Sequence, residues 1–279
     1  MILRWDHNNA HLLLVLSHPS AVVLEETQMR RVCSLPSQPS MSVVLHFFFL
    51  YLLSTVQPDD LEILMKLKAA FQKSNTIVFD SWTAHNQPYN FTRVSCNSDC
   101  SVTSIELGNR NLVGVIPLDS LCQLPYLQKL GLGSNFIYGT IIDVLRKCSK
   151  LRYLDLGFNS FSATISSIRL HSRGGFEAGE VVLALELYHN QLTGKIPPGF
   201  GNLTGLTYFD ASINLLEGDL TELRFLTRLV CLQLYGNQFS GGVPEEFGDL
   251  RNLVKLTLSM NQLRGYWQTS TSSMYLITT

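Results

Sequence analysis

Charge is scarce in this sequence. Only 15% of its 279 residues are Asp, Glu, Lys or Arg, and 21 basic side chains face 22 acidic ones, leaving a formal net charge of -1. Without a basic excess or a long basic block there is no electrostatic pull toward phosphate, so no nucleic-acid partner is expected. Cysteine is sparse too: six residues, Cys33, Cys96, Cys100, Cys122, Cys148 and Cys231, are too few and too scattered for a disulfide-stapled miniprotein. Their spacing leaves the pairing open. Long apolar runs are also missing, since the run at 43–53 holds eleven residues, against the roughly 20 that a membrane-spanning helix needs. The seven histidines show no spacing that sets two on one helix face with a carboxylate, so neither a metal nor another cofactor is expected. No nucleophile, base and orienting group assemble from the motifs, which argues against an enzyme.

What is present begins with that short apolar run. VVLHFFFLYLL followed by Ser54 and Thr55 has the length and flank of a secretory signal peptide's apolar region. We expect export, with residues 41–57 as the signal-like segment. Forty residues precede Met41, whereas signal peptides lie close to the initiator. A start at Met41, or at Met29 with Arg30 and Arg31 as the positive flank, would remove the mismatch. Residues 1–40 are therefore treated as an extension of uncertain structure.

The dominant signal is a repeat. The pattern L-x-x-L-x-L-x-x-N-x-L-x-G-x-I-P recurs from Val102, Leu127, Leu151, Val182, Leu206, Leu229 and Leu253, at intervals of 25, 24, 31, 24, 23 and 24 residues. VVLALELYHNQLTGKIP is its most complete copy. The x-L-x-L stretch suits a short strand with inward leucines, lying parallel to the strand of the next repeat. Asn135, Asn159, Asn190, Asn214, Asn237 and Asn261 fall at one place in six repeats, where a buried amide can satisfy backbone groups of neighbouring coils. Glycine follows four residues later, as at Gly139, Gly194, Gly218 and Gly241, suiting a tight bend. No single repeat can bury its apolar side, so the copies must stack. The expected fold is α/β: a leucine-rich repeat solenoid over residues 102–265, with a curved parallel sheet on its concave face. The interval of 31 residues predicts a break at 166–181, and register is lost over the tail 266–279.

Residues 58–101 are expected to form a helical amino-terminal cap. Asp59 and Glu62 suit a helix start, Leu61, Leu64, Leu67 and Phe71 its apolar stripe, and Trp82 a cover for the first repeat. With this cap, the I-P after the repeat glycine as in GKIP, and the stretches LELYHNQLTGKIP and FDASINLLEGDLTELRFL, the chain resembles the extracellular part of plant leucine-rich repeat receptor-like kinases of the HAIKU-like branch. The resemblance implies a cell-surface or secreted module that binds a secreted peptide or protein, with another receptor as a possible partner. It also implies a cysteine pair in the cap, but Tyr89 stands where the first cysteine belongs, leaving Cys96 without its usual partner and the cap loosened. The sequence carries no kinase motifs, so the resemblance implies a truncated ectodomain.

On the concave face, the strand residues between the inward leucines form columns. One carries Tyr153 and Tyr208, and a second carries Asp155, Glu186, Asp210 and Gln233. A third carries Tyr188 and Tyr235 after Gly108, Gly133 and Gly157. Acids beside tyrosines suit a peptide with basic and apolar groups. Cys231 falls on the same face as an unpaired thiol. Asn90 and Asn202 open sequons for glycosylation in an exported chain. Two other functions fit the same features: a soluble inhibitor of a cell-wall-degrading enzyme, and a truncated receptor product without activity.

Overall fold

The computed structural model describes residues 59–71, 77–141, 148, 150–165 and 182–264, together with the backbone of three short strands near the amino terminus. The signal-like segment 41–57, the expected break at 166–181 and the tail beyond residue 264 lie outside the described residues. Two units are distinguished, residues 1–57 and 58–279. In the first, β1 (Ile2–Asp6), β2 (His11–Val15) and β3 (Val22–Val23) form an antiparallel sheet in that order.

The second unit opens with helix α1 (Asp60–Ala70), whose first turn is capped by the Asp59 carboxylate accepting from the Leu61 amide at 3.3 Å. Glu62 plays no part in that cap and instead pairs with Lys66 one turn on, at 2.7 Å. The buried face of α1 is Ile63, Leu64 and Leu67, continued by Phe71, while Leu61 is only partly covered. The cap is stitched rather than loosened. Trp82 is fully buried between Phe79 (edge-on, 5.0 Å) and Phe91 (stacked, 5.1 Å), and its indole N–H donates to Thr92 O at 3.0 Å. Lys68 Nζ donates to the carbonyls of Phe79 and Trp82, and Asp60 accepts from the Val102 amide, tying helix to first repeat. These contacts stand in for the missing pair: Cys96 is a free, half-buried thiol and Tyr89 points outward.

The concave sheet has eight strands. Antiparallel β4 (Val94–Cys96) starts it, and β5 (Val102–Glu106), β7 (Lys129–Gly131), β9 (Tyr153–Asp155), β11 (Ala184–Glu186), β13 (Tyr208–Asp210), β15 (Cys231–Gln233) and β17 (Lys255–Thr257) follow in parallel. Each repeat strand is three to five residues long and buries its central apolar residue, from Ile105 through Leu130, Leu154, Leu185, Phe209 and Leu232 to Leu256. After each bend a second strand runs beside its neighbours. β6 (Val113–Val115), β8 (Phe136–Gly139) and β10 (Ser160–Phe161) form one lateral sheet, and β12 (Thr193–Lys195), β14 (Leu215–Gly218), β16 (Gln238–Gly242) and β18 (Gln262–Arg264) form another. The return path is short: helix α2 (Leu118–Leu121) in the first repeat and single 3-10 turns at Phe200–Asn202, Thr221–Phe225 and Glu245–Asp249 later.

The asparagine ladder makes the bonds its spacing implies. Asn214 is typical: its Oδ1 accepts from Leu192 N at 3.0 Å, and its Nδ2 donates to Leu187 O at 3.0 Å and Ala211 O at 3.2 Å. Asn135, Asn159, Asn190, Asn237 and Asn261 repeat this pattern, each joining its own coil to the one before. The residue just before each ladder position has a left-handed backbone: Asn109, Ser134, Phe158, His189, Ile213, Gly236 and Met260, with φ between 52 and 69°.

The expected break at 166–181 does not interrupt this order. β9 pairs directly with β11, and Asn190 reaches back to Phe161 N at 2.9 Å and Leu156 O at 3.0 Å. Cys122 and Cys148 are joined by a disulfide across two consecutive coils, a pairing the spacing alone left open. Its signal was present: the two cysteines lie 26 residues apart, one repeat period, at nearly the same place in their repeats.

Candidate functional site

The concave columns align as the repeat register implies. Tyr153, Ala184, Tyr208, Cys231 and Lys255 stand side by side on successive strands, as do Asp155, Glu186, Asp210, Gln233 and Thr257. Tyr188 and Tyr235 follow two residues after Glu186 and Gln233, each half-buried beside the sheet.

Glycines in the third column shape the floor. Gly133 and Gly157 lack side chains where the next coil's groups lie down: a Cβ on Gly133 would sit 2.4 Å from Asp155 Oδ2, and one on Gly157 2.1 Å from Tyr188 Cε1. Asp155 and Tyr188 therefore lie flat over their amino-terminal neighbours. Burial pushes the Asp155 carboxyl up to about 6, the bond from the Gly157 amide opposes that, and the nearby Glu186 and Glu106 charges push it further up. The Tyr188 hydroxyl is raised by burial first and then by Asp155 and Glu186. Tyr153 donates its hydroxyl to the Glu186 carboxylate, and burial with that bond raises it well above the usual phenol range. Burial and Asp210 push the Tyr208 phenol up to about 12.

The acids are not equally presented. Asp155 and Glu186 are partly exposed, but Asp210 is 7% exposed and Gln233 8%. Gln233 Nε2 donates to Asp210 Oδ2 at 2.7 Å and to the Tyr208 hydroxyl at 3.0 Å, and the Ser212 hydroxyl donates to Asp210 Oδ1 at 2.6 Å. These two are already engaged, Asp210 by Ser212 of its own coil and by Gln233 of the next, and Gln233 by Asp210 and Tyr208. At the amino-terminal end Lys129 pairs with Glu106 at 2.7 Å and stacks over the Tyr153 ring at 5.0 Å. The sequence reading had passed over that pairing, although Lys129 occupies the column next to Glu106. What remains partly exposed is the carboxylate pair Asp155 and Glu186 on adjacent strands, with tyrosines along its side and the satisfied Asp210 next to it.

Cys231 is a free, buried thiol in this face, raised by burial and lowered by Lys255. Among the described residues no group of three or more His, Cys, Asp and Glu side chains is placed to hold a metal ion. No described helix is long and apolar enough to cross a membrane. At the two sequons Asn90 and Asn202 are exposed, as are Thr92 and Thr204.

Comparison with known proteins agrees with this architecture. The family model described as Leucine Rich Repeat matches residues 183–203 and 228–250. Receptor-like protein kinase 7 of Arabidopsis thaliana is 47% identical over 118 residues, which is 42% of this chain and 12% of that protein. Receptor-like protein kinase HAIKU2 of the same plant is 41% identical over 119 residues, 39% of this chain and again 12% of the relative. The chain thus spans only a small part of the length of these relatives. Among solved structures, the Arabidopsis receptor kinase HAESA in complex with the peptide hormone IDA and the co-receptor SERK1 superposes with a TM-score of 0.56 at 26% identity, covering 73% of this chain and 38% of that one. The chain is a leucine-rich repeat solenoid whose sequence relatives are plant receptor-like kinases and whose structural neighbours are the ectodomains of such receptors.

Proposed function

We propose that this chain is a non-catalytic binding module that takes a secreted peptide or protein on its concave face, in the extracellular space or at the plasma membrane. The observation that carries this reading is the pair of partly exposed carboxylates, Asp155 and Glu186, on adjacent strands, with the buried Asp210 beside them held by Gln233 and Ser212. The Glu186 charge raises the cost of ionising Asp155, and a cationic ligand offsets that cost. The likeness to a receptor ectodomain solved with a peptide hormone and a co-receptor supports the same reading, and by that likeness a second receptor is a further partner. The Cys122–Cys148 bridge fits an oxidising compartment, where the exposed Asn90 and Asn202 would accept glycans.

Selection of the purified chain against a random peptide library tests this. We expect enriched peptides to carry Lys or Arg, and to lose about tenfold or more in affinity, some 1.4 kcal/mol, for the Asp155→Asn/Glu186→Gln variant. Peptides that bind the variant as tightly as the parent would remove the concave acids from the site.

A further inference from the structure

The position just before each ladder position lies beside the concave columns, three residues after the acidic column. The strands ending in Asp155, Glu186 and Asp210 are followed by Phe158, His189 and Ile213. Neutral Gly131 and Gln233 are followed by Ser134 and Gly236, and Glu106, whose charge Lys129 answers, is followed by Asn109. Large apolar or aromatic side chains thus follow the acids of these three strands, of which Asp155 and Glu186 are partly exposed, and Met260 follows neutral Thr257 in the last described repeat. The three stand on consecutive coils, held by the amides of Phe158, His189 and Ile213 donating to carbonyls of the next coil. The Phe158 and His189 rings meet edge-on at 4.2 Å. They remain open to solvent: Phe158 is 51% exposed and Ile213 40%.

We infer that the Phe158–His189–Ile213 stripe is a second track of the same binding face, and that its ligand is an extended cationic peptide with an apolar side chain beside each basic one. This inference rests on the concave-face reading above. Charge complementarity selects the occupant, because an apolar partner without cations would have to lie against the partly exposed acids and desolvate them. Spacing narrows it further. Adjacent strands lie about 4.8 Å apart, and a chain in the extended polyproline II form advances about 3.1 Å per residue with three residues per turn, so every third side chain returns to the same face about two coils on. A three-residue period of basic, apolar and small residues then follows both tracks, with Phe158 and Ile213 two coils apart.

The test uses three synthetic peptides of equal length, repeating Lys-Leu-Gly, Lys-Ser-Gly or Glu-Leu-Gly, titrated onto the full chain by fluorescence anisotropy. We expect the first to bind at least about tenfold more tightly than either of the others. A Phe158→Asn/Ile213→Asn variant should lose that advantage while keeping the weaker affinity for Lys-Ser-Gly. Asparagine tolerates the left-handed backbone of both positions better than Phe or Ile does, so thermal unfolding of this variant should hold or improve, separating lost contact from lost fold. If Lys-Leu-Gly binds the stripe variant as tightly as the parent while the Asp155→Asn/Glu186→Gln variant has lost it, the second track is overturned and the acidic groove stands. If both variants retain it, the groove reading falls as well.

Discussion

At the scale of single residues, Asp155 shows how a column position becomes a chemical group. Its carboxyl is raised from 3.8 to about 6, chiefly by burial over Gly133. Between those values the folded chain holds a proton that the unfolded chain releases, so this side chain's contribution to stability grows as pH falls through 6 and is complete below about 3.8. Affinity for a cationic ligand should move the other way, weakening as pH falls through 6. Unfolding midpoints and peptide titrations between pH 4 and 8, compared with Asp155→Asn, check both signs. The variant should flatten each profile in that window, and a stability profile unchanged by the substitution would show that Asp155 ionises freely. Ile213 is a different case, a β-branched residue at φ 52° where glycine or asparagine costs less. Ile213→Asn alone should raise stability by about 1 kcal/mol, read from the urea midpoint.

Among the elements, the cap and the first lateral strand meet at a glycine. A Cβ on Gly114 would lie 2.4 Å from Ala70 O and 3.3 Å from Phe71 Cδ1, so helix α1 closes on β6 only because nothing projects there. Gly114→Ala should cost about 1–3 kcal/mol by overpacking, with faster hydrogen exchange in the cap helix than in the late repeats. The Cys122–Cys148 bridge joins the coil of α2 to the next, closing a separation of 26 residues. Its removal by Cys122→Ala/Cys148→Ala should lower stability by about 3 kcal/mol. An unchanged midpoint between oxidised and reduced chain would mean that the coils are held without it. Both cysteines stand at nearly the same place in the period, one coil apart, whereas Cys96, Cys100 and Cys231 are free.

For the whole molecule, stability resides in the interfaces between coils, and the ladder is the thread through them. Asn190 is a ladder tie beside the β9–β11 pairing, bonding Phe161, Leu156 and Leu187. Asn190→Ala strands the buried Phe161 amide, while Leu156 O keeps Asn159 Nδ2 and Leu187 O keeps Asn214 Nδ2, at about 1–3 kcal/mol. Because the tie joins the two halves of the array, exchange should accelerate at Phe161 and Leu185 together, and the unfolding transition should broaden. A loss confined to one side would show that β9 and β11 hold the junction without the ladder.

The amino-acid sequence by itself determined the repeat, the inward residues of each strand, the six ladder asparagines and the columns of the concave face. Each of these follows from a period of about 24 residues, and a period is a local property that survives in the chain order. Only the tertiary structure decided which column side chains are already engaged by their neighbours. Asp210 and Gln233 satisfy each other, Lys129 answers Glu106, and Asp155 and Tyr188 lie down over glycines. It also decided that the cap is held by Trp82, Lys68 and Asp60 without a disulfide, and that the 31-residue interval leaves the sheet whole. The physical reason is the same in every case. These outcomes depend on how long side chains from separate coils reach across one another, and a repeat pattern fixes the position of each Cα in its coil without fixing where a lysine, glutamine or tyrosine side chain ends.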